Sequence, residues 1–155
     1  MTRDRAPVAP LSVTARCWAE LGILFELTQT LQSIATGAGD GAGTGPPTAA
    51  RVGDLIGAIV EGCREHRDFA EEEGLLAEVE TRVGRPHEVE LVRRDHDLMV
   101  QFAQELAESF NALSTRGELA LIGPLVTRFE AALREHGSHE DDLVQEAFRD
   151  TGAGD

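Results

Sequence analysis

Residues 87–113, HEVELVRRDHDLMVQFAQELAESFNAL, decide the fold. Val89, Val92, His96, Met99, Ala103, Leu106 and Phe110 follow one another at alternating three- and four-residue steps, which places them on one face of a helix. The same rhythm extends outward in both directions. Upstream, Leu24, Leu27, Leu31 and Ile34 mark a segment from about Leu11 to Ile34. Leu55, Ile59, Gly62, His66, Phe69, Glu73 and Leu76 mark a second from about Val52 to Thr81. Downstream, Leu125, Phe129, Ala132, Leu133, His136, Glu140, Leu143 and Ala147 mark a fourth from about Pro124 to Arg149. No stretch alternates with period two, so strands are not expected.

Three breaks separate the four segments. TGAGDGAGTGPPTAA, Thr36 to Ala50, combines glycine freedom with a Pro46-Pro47 pair that forbids helix, and reads as a flexible linker. Gly84-Arg85-Pro86 and the Ser114 to Gly117 turn make the other two. Pro124 suits a first helical turn, where its missing N–H costs nothing. Glu118 to Ile122 is open between loop and helical turn, and the tail TGAGD, 151–155, is too small and polar to pack. The expectation is one all-α domain over 1–155, an antiparallel up-down-up-down four-helix bundle.

Composition narrows the function. The chain of 155 residues carries 28 acidic and 14 basic residues, a net charge of −14, and every basic residue is Arg. Folding at that length removes roughly 70 % of the unfolded surface from water, enough for a real core. A strong acidic excess offers no basic stripe for phosphates and no attraction to anionic lipid, which argues against nucleic-acid and membrane partners. No apolar run approaches the length that spans a bilayer, and the N-terminus lacks an apolar signal core. The protein is therefore read as cytoplasmic, and its Arg-, Ala- and Gly-rich composition as bacterial. Cys17 and Cys63 lie far apart without a CxxC pair, and read as small core hydrophobes. No nucleophile–base–orienter triad, phosphate-binding glycine loop or dinucleotide fingerprint is present, so neither a hydrolase nor a kinase is expected.

Three stripes are interrupted by histidine where the period calls for an apolar residue: His66, His96 and His136. Glu140 follows His136 by one turn on the same face. Burying such groups without partners costs on the order of several kcal/mol, and a metal ion inside the bundle is a partner that offsets it. Imidazole and carboxylate together suit iron, manganese or zinc, and the lack of nearby cysteine pairs disfavours an iron–sulfur cluster. Other polar residues carry bland readings. Glu71-Glu72-Glu73 reads as a solvated face, His87 and His139 as exposed, and Trp18 as a packing anchor.

LREHGSHEDDLVQEAF, VRRDHDLMVQFAQELA and CREHRDFAEEEGLLAEV together resemble the second to fourth helices of the hemerythrin-like, or HHE cation-binding, family. The resemblance implies a four-helix bundle with a non-haem di-iron centre that binds or senses iron or oxygen. It also implies a metal-ligand set of His66, Glu72, His96, His136 and Glu140. Glu72 enters because the pair Leu75-Leu76 sets a register in which it holds the carboxylate position; Glu73 and Asp68 are the alternates. The chain departs from the family in ELGILFELTQTL, which has no histidine where the first helix normally donates one; Glu26, Thr28 and Gln29 are the polar groups at comparable depth. A mononuclear site is thus as open as a dinuclear one. Two further readings stay open: a metal-free bundle acting as a structural or partner-binding protein, and a small-molecule pocket lined by Phe69, Met99, Phe110 and Phe129.

Overall fold

The computed structural model describes residues 10–37, 49–76, 79–80, 86–116 and 119–149. Four long helices account for most of them: α1 Pro10–Ala35, α2 Ala49–Glu72, α3 Pro86–Arg116 and α4 Gly123–Arg149, with a single 3-10 turn, Leu119–Ile122, leading into α4. No strand occurs among the described residues. The expected linker beyond Gly37, the Gly84-Arg85 break, Gly117 and the tail lie outside them.

Each helix packs on the two beside it, α1 on α2 and α4, α3 on α2 and α4, which closes a four-membered ring. Cross-helix pairs give the direction. Gln29 bonds Glu130 at 3.0 Å and Gln32 bonds Thr127 at 3.1 Å, so numbering rises on α1 as it falls on α4. Gly53 at the start of α2 faces the Phe110 ring near the end of α3. The fold is the antiparallel up-down-up-down bundle that the stripes predict.

Two helix ends differ from the sequence expectation. The helical stripe of segment two breaks after Glu72, because Gly74 adopts φ 112°, a left-handed value that glycine reaches without strain. Leu75 and Leu76 then turn inward and are buried. At the other break, α3 runs through Ser114 and Thr115 to Arg116. Both hydroxyls donate to the Asn111 carbonyl, at 3.2 and 2.9 Å, and extend the helix where a turn was expected.

The interior has two apolar clusters. The larger holds Leu24, Leu31, Ile56, Ile59, Met99, Leu106, Phe129 and Leu133, among others. The smaller holds Val13, Cys17, Phe69, Leu76, Val89, Val92, Leu143 and Val144. On every helix the sequence crosses from one to the other at a polar residue: Glu20 on α1, His66 on α2, His96 on α3, and His136 with Glu140 on α4. A polar layer therefore cuts across the bundle between two greasy ends. Trp18, expected as an anchor, is half exposed instead, at 49 %. It sits one residue off the Cys17–Leu21–Leu24 stripe, which turns it outward. Phe69 belongs to one cluster and Met99 and Phe129 to the other, so the four side chains of the expected small-molecule pocket do not share one cavity.

Candidate metal centre

His66, His96, His136 and Glu140 are all buried, none more than 1 % exposed, and one donor atom from each lies within 4.8 Å of all the others. Their inner atoms meet at a point. His66 Nε2 and His136 Nε2 stand 3.1 Å apart, and Glu140 Oε2 lies 3.2 and 2.9 Å from them. His96 Nε2 approaches the same oxygen to 3.8 Å. Donors held about 2.1 Å from one ion in a tetrahedron would be roughly 3.4 Å from each other, and these separations bracket that value. The group could hold a metal ion.

Electrostatics point the same way. Three imidazole nitrogens and an anionic oxygen crowd one spot with no arginine among them, so positive charge must come from protons or from a cation. Without a cation, protons would supply it. Burial alone would lower the His66 pKa, but the hydrogen bond to Glu140 and the negative charges of Glu140 and Glu20 outweigh it and raise the value to about 9. His136 is likewise pulled up by Asp95 and Glu140 against its burial. Burial would raise the Glu140 carboxyl, yet the three imidazoles hold it far below the usual carboxylate range. Even so, His96 Nε2 and Glu140 Oε1 are buried without a hydrogen-bond partner. Such orphaned atoms are rare in native interiors and ask for a missing partner.

The outer nitrogens face carboxylates. His96 Nδ1 donates to Glu71 Oε1 at 3.1 Å. His66 Nδ1 lies 3.6 Å from Glu20 Oε2, and His136 Nδ1 3.8 Å from Asp95 Oδ2, ion-pair range but too long for a hydrogen bond. Asp95 also accepts from His139 at 2.7 Å. The Glu71 bond fixes the His96 tautomer that leaves Nε2 free to point inward, and Glu20 and Asp95 stand on the same side of the other two rings, a placement typical of metal-ligating imidazoles. The Cys17 thiol neighbours the Glu140 carboxylate; burial, then the charges of Glu140 and Glu20, push its pKa up and keep it neutral.

Of the five sequence-predicted ligands, the structure brings four together and leaves out Glu72. That residue is exposed and lines a cleft of about 470 Å³ with Arg16, Glu20, Glu65, Asp68, Phe69 and Glu73. Six residues past His66 amount to about 240° around a helix, so Glu72 points away from the imidazole. The alternates Asp68 and Glu73 are exposed too. On α1, Thr28 is buried but satisfied by its own helix through Leu24 O at 2.7 Å, and Glu26 and Gln29 are exposed. Glu20 is the polar group that α1 brings to the centre. Sequence reasoning missed Glu20, Glu71 and Asp95, and left His139 as exposed although it is half-buried on Asp95. Asp95 precedes buried His96 by one position, a signal that could have found it, whereas Glu71 lies five residues past His66 on a stripe flank and carries no such mark. His87 is exposed, as expected.

Compared with family models, curated proteins and solved structures, the chain matches none. No described helix is long and apolar enough to cross a membrane.

Proposed function

We propose that the chain is a hemerythrin-like bundle that holds a single non-haem iron ion through His66, His96, His136 and Glu140 and serves to bind or sense iron or oxygen. One observation supports this most: three Nε2 atoms and one carboxylate oxygen, from three helices, converge in a buried layer with donor atoms left unpaired. The donor set of imidazole and carboxylate suits iron, manganese and zinc by its chemistry, and the likeness of α2 to α4 to the hemerythrin-like pattern favours iron. The directions of the rings support a single ion. Each outer nitrogen is turned to a carboxylate, which leaves no imidazole nitrogen for a second ion. Iron held there would supply open coordination positions for a small molecule and a one-electron couple.

Protein isolated after growth in iron should contain close to one iron per chain by elemental analysis. His96→Ala with His136→Ala should remove it while circular dichroism keeps its helical signal. Wild-type protein that is colourless and holds no metal would count against the reading.

The metal-free bundle has one observation in its favour, since protonated His66 already pairs with Glu140. Replacing all four buried residues together by apolar side chains of similar volume separates the two. A polar layer kept for no ion should be neutral or stabilising to replace with apolar residues.

A further inference from the structure

Every imidazole of the centre is backed by a carboxylate from the helix that precedes it: Glu20 of α1 behind His66 of α2, Glu71 of α2 behind His96 of α3, Asp95 of α3 behind His136 of α4. A carboxylate on Nδ1 draws that proton toward itself, so the ring becomes a more basic and more anionic donor through Nε2. With Glu140, four carboxylates surround one cation position between two apolar clusters; Glu140 is buried and weakly screened, while Glu20, Glu71 and Asp95 reach the surface in part. That is more negative charge than a divalent ion neutralises.

We infer, resting on the iron reading above, that Glu20, Glu71 and Asp95 are positioning residues that bias the bound iron toward its ferric state, and that Glu71 contributes most. The ranking comes from geometry. Glu71 makes the one contact of hydrogen-bond length, 3.1 Å. Glu20 stands further off, and its other oxygen accepts from Arg16 at 3.0 Å, whose positive charge offsets part of its own. Asp95 is the most distant at 3.8 Å and shares its oxygen with His139. The neighbouring Cys17 is a neutral thiol and adds no charge. Glu72, next to Glu71 in sequence but exposed, supplies the internal control.

The test loads wild type, Glu71→Gln and Glu72→Gln with ferrous iron without oxygen. Elemental analysis gives the iron content, and a dye-mediated spectroelectrochemical titration gives the midpoint potential. Gln keeps the shape and an acceptor oxygen for the His96 Nδ1–H while removing the charge. Glu71→Gln should raise the potential by at least 59 mV, a tenfold or larger loss of ferric over ferrous preference for one electron. Glu72→Gln should stay at the wild-type value, and Glu20→Gln and Asp95→Asn should shift upward by less. A Glu71→Gln potential equal to that of Glu72→Gln overturns the inference. Should Glu71→Gln not take up iron, Glu20→Gln and Asp95→Asn carry the measurement, and no upward shift in either overturns it. Wild type without iron fails earlier, at the elemental analysis, and overturns the iron reading along with it.

Discussion

Glu140 is held as an anion by His66 and His136, and His66 is held as a cation by Glu140 and Glu20, so the metal-free protein carries a defined pH signature. The His66 pKa rises from 6.5 to about 9, so the stability from its pairing is complete below pH 6.5 and is lost as pH rises through about 9. Glu140 is depressed below 4.5, so its share is present above that pH and is lost as pH falls. Urea midpoints of metal-free protein should therefore be highest between these limits. Across the alkaline window they should drop by on the order of 3 kcal/mol in unfolding free energy. Metal must displace the His66 proton, so apparent metal affinity should climb over the same interval, read by competition with a chelator at stepped pH. Glu140→Gln should abolish metal uptake and flatten the alkaline limb. The four clustered residues were legible in the sequence because a polar side chain on an apolar stripe is an anomaly with few cheap explanations. Glu71, Asp95 and Glu20 were not. They stand on stripe flanks, where charge is ordinary, and only the neighbouring helix makes them matter. Glu72 was drawn in through Leu75-Leu76, but Gly74 breaks the helix between them and that register does not carry across.

Helix identity was readable from spacing alone, since three- and four-residue steps repeat over five or more turns in α2, α3 and α4. Helix ends were less so. The stop at Glu72 depends on a single glycine with φ 112°, and the extension to Arg116 on two hydroxyls bonding backward, local choices that periodicity does not report. Glycines inside α2 give a test of packing at this scale. A Cβ at Gly57 would meet nothing within 4 Å, so Gly57→Ala should stabilise by about 0.5–1 kcal/mol through helix propensity. At Gly62 the same Cβ would lie 2.9 Å from Leu24 Cδ2, where α1 crosses α2 beside the polar layer. Gly62→Ala should lose that gain and end neutral or destabilised by about 1 kcal/mol, because overpacking forces the leucine aside. Chemical denaturation of the two single variants in parallel measures the difference directly.

At the scale of the molecule, a chain with net charge −14 encloses a centre that is itself rich in carboxylates. Binding an ion to the folded form alone should raise its stability by about 2.7 kcal/mol at a hundred times the dissociation constant. That corresponds to a rise in Tm of roughly 5–10 °C in a chain of this size, read by calorimetry with and without chelator. A Tm indifferent to added metal would remove the coupling between the polar layer and the fold. The centre also treats the four helices unequally. α2, α3 and α4 each contribute donor atoms, while α1 sends Glu20, which stands behind His66. Cation loading would clamp three staves of the barrel and leave the fourth held by grease and one acid. Amide hydrogens of α1 that exchange by local opening would keep nearly their former rate while those of its companions slowed. The route by which small molecules reach the interior, and by which the ion is inserted or lost, would then run along the seams that α1 makes with its neighbours.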